Sequence, residues 1–313
     1  MGTGSAANPS AGGMKKSKRI QKFKISNSRR KTAWIAALCL IFLCAVNASA
    51  QNFEELTARL SGNTGQKRDA LFEIRNLQSA EASRLALPAL ADSDDIVRAT
   101  AVFSVIFLPS EETVRALSPL LEDKSDFVRR EAALALGKTR SAQAVEPLIR
   151  TIQKDKIREV KNAAVIALGE IGDVSALDAL VRILQKPTRR NEEFTRRSAA
   201  RSIGQIAQIQ QTGSEQKSTP ESFLPEELKT TVKLNYKNLS KQFPEFRRAA
   251  DFLIRTLQNR REVDDVRREA AFALGAIGDA TALQILKNSL SAEDYYLAEI
   301  AEESLRKIYG KTE

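Results

Sequence analysis

The chain has 313 residues, with 49 Lys and Arg against 39 Asp and Glu, no histidine and two cysteines. Without His, and with both cysteines (Cys39, Cys44) confined to one apolar run, Ser–His and Cys–His catalysis, His- or Cys-built zinc sites and haem ligation through those residues are excluded. The formal charge of +10 is mostly local, because residues 1–50 hold nine basic residues and no acid, leaving 40 basic against 39 acidic beyond them. A nucleic-acid partner needs a sustained basic surface, so none is expected.

The first fifty residues read as a leader. MKKSKRIQKFKISNSRRK from Met14 is basic and acid-free, AWIAALCLIFLCAV (33–46) is apolar, and NASA (47–50) offers an A-x-A cleavage site. This order is that of a secretory signal peptide cut after Ala50. Fourteen apolar residues fall short of the roughly 20 a membrane span needs; retention of 33–46 as an anchor is the alternative. MGTGSAANPSAGG carries no pattern, which points to Met14 as the working start. The mature chain, 51–313, is expected to be exported, periplasmic or secreted.

Beyond the leader the chain repeats itself. VRREAALALG (128–137) returns as VRREAAFALG (266–275). With the first Val of each copy at position zero, the register falls on Gln66, Val97, Val128, Val160, Thr195, Val266 and Leu297. Position +4 is then Ala70, Ala101, Ala132, Ala164, Ala199, Ala270 and Ala301, and position +8 is always aliphatic. Spacings of four and eight lie on one helix face, and an unvarying alanine predicts a close helix crossing. A second apolar-periodic stretch follows each such helix, as in SAQAVEPLIRTIQK (141–154) and DVSALDALVRILQK (173–186). Gly172–Asp173 and Gly278–Asp279 supply a helix stop and a cap between the two. The unit is helix, turn, helix, about six and a half times over, and stacked units share a core that none can form alone.

The pattern V-R-x-x-A-A-x-A-L-G-x-I-G-D followed by A-L-x-x-L resembles HEAT repeats, and its short period is similar to the phycobilisome-lyase HEAT-like type; the Trp and Tyr positions of the competing tetratricopeptide repeat are missing. The resemblance covers about residues 64–310. It implies an all-α fold, an α-α superhelix or HEAT-like solenoid, and most often a protein-binding scaffold with the second helices on its concave face. The matched positions are packing positions and carry no catalytic residue across. The iron-binding His-Glu motifs of the HEAT-type deoxyhypusine hydroxylases have no counterpart here.

One interval is long: 71 residues separate Thr195 from Val266. The fifth first-helix is expected over about 192–208 and its partner over 245–258, with an insertion at about 209–244. Within it QQTGSEQKSTPES is a polar loop, and LPEELKTTVKLNYKNLSKQF reads as an amphipathic helix with Leu228, Val232, Tyr236, Leu239 and Phe243 on one side. Lys229, Lys233, Lys237 and Lys241 recur every four residues, and with Arg247 and Arg248 they are the candidate partner-binding residues, facing an acidic protein or another anionic surface. Cutting residues 211–243 to a tight turn is expected to spare the fold and remove binding.

Charge also recurs inside the repeat. Asp95, Asp126, Asp264 and Glu193 lie two before zero, and Arg98, Arg129, Lys161, Arg196 and Arg267 lie one after. The i, i+3 spacing makes each acid and base neighbours, for helix capping and for pairing along and between repeats. No cofactor, metal or catalytic residue is assigned. The expected function is a non-enzymatic, monomeric scaffold in the cell envelope. A bilin- or tetrapyrrole-lyase-like role, and attachment to a membrane surface or anionic polymer through the inserted helix, are the alternatives.

Overall fold

The computed structural model describes residues 52–186, 192–213 and 236–309, besides Gly2. The expected signal peptide, its expected cleavage site and the alternative anchor at 33–46 lie outside the described residues. The chain divides into two compact units, Met1–Ala58 and Arg59–Glu313. In the first, the described residues 52–58 belong to a helix, α1 (52–60). The second unit is helical, and no strand occurs among its described residues.

Seven helices carry the repeat register: α2 (Thr64–Leu77), α4 (Asp95–Ser104), α6 (Asp126–Lys138), α8 (Arg158–Ile171), α10 (Glu193–Thr212), α13 (Asp264–Ile277) and α15 (Tyr295–Tyr309). Position zero is the third residue of every one. Each of these A helices packs on the next, α2 on α4 through to α13 on α15. A second row of B elements alternates with them. It comprises α3 (Ala80–Leu85) with a 3-10 turn, α5 (Ser110–Leu117) with another, α7 (Val145–Lys154), α9 (Leu177–Gln185), α12 (Pro244–Gln258) and α14 (Leu283–Ser289). That is the all-α solenoid expected from the register. Gly172 and Gly278 end α8 and α13 at φ 78° and 73°, where a side chain would strain the backbone. Asp173 and Asp279 then accept from the amides of Ser175 and Thr281 at 2.8 and 3.0 Å, starting the next turn.

All seven +4 alanines are fully buried, Ala70 through Ala301. The reason for their size becomes visible one turn on. A Cβ added to Gly137, Gly169 or Gly275, each nine past zero, would stand 2.7–2.9 Å from the Cα of Ala167, Ser202 or Ser304, seven past zero in the following A helix. Backbones meet there, so these three glycine positions have no room for a side chain, and the small buried alanines at +4 lie on the same closely packed helices. Where +7 is serine it also bonds across the crossing. Ser104 Oγ donates to Leu71 O at 2.8 Å, Ser202 to Val165 O at 2.9 Å and Ser304 to Ala271 O at 2.9 Å. These hydroxyls satisfy themselves on the neighbouring helix, and a buried polar group left unpaired there would cost stability.

The long interval is bridged rather than interrupted, because α10 packs directly on α13. Helix α10 runs four residues past its expected end, so Thr212 is helical, with Oγ1 donating to Gln208 O at 2.9 Å. Lys229 and Lys233 lie outside the described residues. Over the described end of the insertion the expected continuous helix is broken. Tyr236–Asn238 are non-helical, and Asn238 caps a single turn, α11 (Leu239–Gln242), by accepting from the Ser240 amide at 3.0 Å. Asparagine favours such local bonds over helix interior. Lys237 and Lys241 therefore do not share the face of one helix.

This returning end is also fixed to the solenoid. The Gln211 side-chain amide donates to Lys237 O at 2.7 Å and to Ala276 O at 3.0 Å, and its Oε1 accepts from the Lys237 amide at 2.9 Å. Leu239 is buried, and Lys307 Nζ sits over the Tyr236 ring at 5.6 Å. A cut at 211–243 would remove these contacts.

The crowding at +4 is directly measurable. Ala132→Leu should lower stability by about 1–3 kcal/mol, the usual cost of overpacking, while Ala91→Leu, at an exposed position, should be near neutral. Equal denaturant midpoints for the two variants would contradict the close-crossing account.

Candidate functional site

The turns that lead from each B element into the next A helix form one edge of the repeat unit, and the chain's charges are organised there. The cation at +1 does not mainly pair with the acid three residues before it. Arg98 Nε and Nη2 grip Asp123 at 2.8 Å each, and Arg129 grips Asp155 at 2.7 and 3.2 Å. Lys67 reaches Asp92 at 2.6 Å. Asp92, Asp123 and Asp155 all lie five before zero in the following repeat. The third guanidinium nitrogen donates to the carbonyl of the residue five before zero in its own repeat, Arg98 to Asp92 O at 2.8 Å and Arg129 to Asp123 O at 2.9 Å. Each aspartate also starts its own helix, accepting from the amide two residues on: Asp94, Ser125 and Ile157 at 2.8–2.9 Å. One carboxylate thus closes a turn and joins two repeats. A +1 side chain leans toward the helix N-terminus, which carries it to the turn rather than along its own helix.

The expected i, i+3 pairs do form in the sixth repeat, where Arg267 meets Asp264 at 3.1 Å and Arg268 meets Asp265 at 2.9 Å. There the next repeat is reached by Arg268, which holds Asp294 through two bonds of 2.7 and 2.9 Å. Asp126 and Asp95 have other uses. Asp126 accepts from the Phe127 amide at 3.0 Å, and Asp95 accepts from Ser125 Oγ at 2.8 Å. The rung across the insertion is the most deeply buried. Arg196 donates two-handed to Glu262, with side chains 4% and 0% exposed, and its Nη1 reaches the carbonyls of Ile183, Leu184 and Lys186. Removing one member of such a pair strands a buried charge, at a cost of about 3–5 kcal/mol.

The outward side of the B row carries a second pattern. PLIRTIQ in α7, ALVRILQ in α9 and FLIRTLQ in α12 align Leu148, Leu180 and Leu253, which are fully buried. Two residues on, Arg150, Arg182 and Arg255 are all exposed. Composition and motif reading did not single out this row, because its signal lies in comparing B helices with one another. Of the candidates from sequence, Lys237, Lys241, Arg247 and Arg248 are exposed, and Arg248 spans to Asp178 of α9 at 2.9 Å. Among the described residues no group of three or more His, Cys, Asp or Glu could hold a metal, and no helix is long and apolar enough to cross a membrane.

The model for HEAT repeats matches residues 83–167, 128–204 and 239–306, more than half of the chain. The chain belongs to the HEAT-repeat family. No curated protein matches it significantly. Among solved structures it is similar to an engineered protein at 19% identity and a TM-score of 0.48, covering 85% of this chain and 70% of that one. It is likewise similar to the CpcE–CpcF complex of phycocyanin lyase from Nostoc, at 19% and 0.42, covering 82% and 94%. Human deoxyhypusine hydroxylase in complex with glycerol stands at 17% and 0.35, covering 84% and 99%. At these identities the likeness is one of fold.

The rungs set a pH dependence. Burial pushes the carboxyls of Asp123, Asp155 and Asp294 upward; the guanidinium bonds and backbone amides more than reverse it, so all three are held below the usual carboxylate range. Asp92 is lowered first by Lys67. A carboxyl lowered in the folded state favours folding in full above its unfolded value, about 3.9. That contribution is lost as pH falls through the folded value, because the unfolded chain then binds more protons. The melting temperature should be flat from neutral pH to about pH 5 and fall steeply below about pH 4. In Asp123→Asn/Asp155→Asn it should start lower and fall less; an equally steep fall would contradict the rung account.

Proposed function

We propose that the protein is a non-enzymatic scaffold that recruits a protein partner on the outward side of its B row, working as a monomer in the cell envelope after export. The observation that carries this reading is the recurrence of one outward arginine, Arg150, Arg182 and Arg255, at the same place on three successive B helices. Packing explains the buried Leu148, Leu180 and Leu253 beneath them; at the exposed position Arg150 meets Glu146 at 3.4 Å and Arg255 lies over the Phe252 ring at 5.1 Å, contacts confined to their own helices that leave the row facing outward. A regular row of guanidinium groups presents five-donor forks suited to carboxylates. The HEAT-repeat fold supports the reading, since repeat solenoids offer extended binding surfaces. The basic, then apolar, then A-x-A order of residues 14–50 supports export.

A crosslinking pull-down from the envelope fraction tests both parts. The wild-type chain should capture a partner that Arg150→Glu/Arg182→Glu/Arg255→Glu does not. The variant should melt within about 1–2 kcal/mol of wild type, because exposed charges contribute little to stability. The intact mass of the exported protein should begin at Gln51. Undiminished capture by the triple variant would overturn the B-row reading, and a mass that retains residues 33–50 would overturn the cleaved leader.

A further inference from the structure

The rungs that join the first four repeats share one pattern, a cation at +1 and an acid five before the next zero. Between the first and fourth repeats, Asp92, Asp123 and Asp155 each supply a carboxylate to Lys67, Arg98 and Arg129. The next cation in the series is Lys161 of α8. In the sequence the residue five before zero in the fifth repeat is Arg190, a base rather than an acid. Among the described residues, no carboxylate lies within ion-pair distance of Lys161.

A recess of about 260 Å³ opens at this junction, lined by Ile152, Lys156, Arg158, Lys161, Ile183, Lys186, Glu192 and Thr195. Its described lining residues include four cations, one acid and two isoleucines. The neighbouring recess at the previous junction, about 470 Å³, shares Lys156 and includes Arg150 and Lys154; its own rung is already closed by Arg129 and Asp155.

We propose that the recess at Lys161 takes a carboxylate side chain from an acidic, extended segment of the partner, completing in trans the rung that the chain completes in cis elsewhere. The inference rests on the scaffold reading and gives the partner its chemistry. A carboxylate fits because that is the group the equivalent cations hold at the three preceding junctions. An extended segment fits because neighbouring helix rows lie about 8–10 Å apart, which three residues of extended chain span at about 3.3–3.6 Å each. A segment with an acid at the recess and another three residues on would meet Lys154 at the neighbouring one.

The probe is a fluorescein-labelled peptide of about twelve residues, with Glu at every third position and Gly or Ser between, titrated by fluorescence anisotropy. The full mature chain should bind it. Lys161→Glu/Lys186→Glu should weaken binding about tenfold or more, and Lys161→Arg should retain it. Lys138→Glu/Lys287→Glu makes the same charge change at exposed positions that line neither recess and should bind within about twofold of wild type. Absence of binding by wild type, retained binding by the recess variant, or equal loss in both double variants would each overturn the site. If the peptide fails while partner capture still depends on Arg150, Arg182 and Arg255, the recess is wrong and the scaffold reading stands. If the peptide binds through Lys161 while capture ignores that row, the recess stands and the B-row reading falls.

Discussion

Everything in this solenoid depends on how closely neighbouring A helices approach. The glycines at +9 lie against the backbone of the following helix at distances no Cβ could share, and the buried alanines at +4 keep the rest of the crossing equally thin. Close packing of this kind tolerates neither voids nor additions. It explains why one chain writes nearly the same ten residues at 128 and 266: each copy must fit a neighbour of almost the same shape. It also explains why the second helices are free to differ. They pack through Leu148, Leu180 and Leu253 and leave Arg150, Arg182 and Arg255 exposed.

Charge then ties the edge that packing leaves open. An aspartate that closes the turn into one helix and accepts a guanidinium from the previous repeat restrains two elements at once. A bidentate, charge-assisted pair of this kind is stronger than a neutral hydrogen bond. The deepest pair, Arg196 with Glu262, spans the one place where 71 residues separate successive registers. With α10 seated on α13, it makes the sixth repeat a direct continuation of the fifth. Where a rung lacks its own acid, at Lys161, the same edge becomes a surface that an outside carboxylate can complete.

The register was fully legible in the sequence, because it is set by side-chain volume at fixed spacing. Position zero, the alanines and the glycine–aspartate turns all stand where periodicity places them. The charge partners were less legible. Spacing pairs Arg129 with Asp126, but the guanidinium leaves its own helix for Asp155, a long-range choice that local spacing cannot encode. The insertion was misread for a related reason. Lys237 and Lys241 keep helical spacing, yet Asn238 between them caps a new turn, and Gln211 pins Lys237 by its backbone. Arginines 150, 182 and 255 were overlooked because a charge on an exposed helix face has no local signature; only alignment of the B helices reveals the row.

The central claim is that the A helices form one cooperative stack running uninterrupted past the insertion. Hydrogen exchange as a function of denaturant, read helix by helix, tests it most directly, because it reports the free energy at which each segment opens. The account predicts that α10 and α13 lose protection together, at the midpoint shared with α6 and α8. Loss of protection across α13 and α15 at a lower denaturant concentration, with α10 still protected, would show that the insertion divides the solenoid in two and would contradict it.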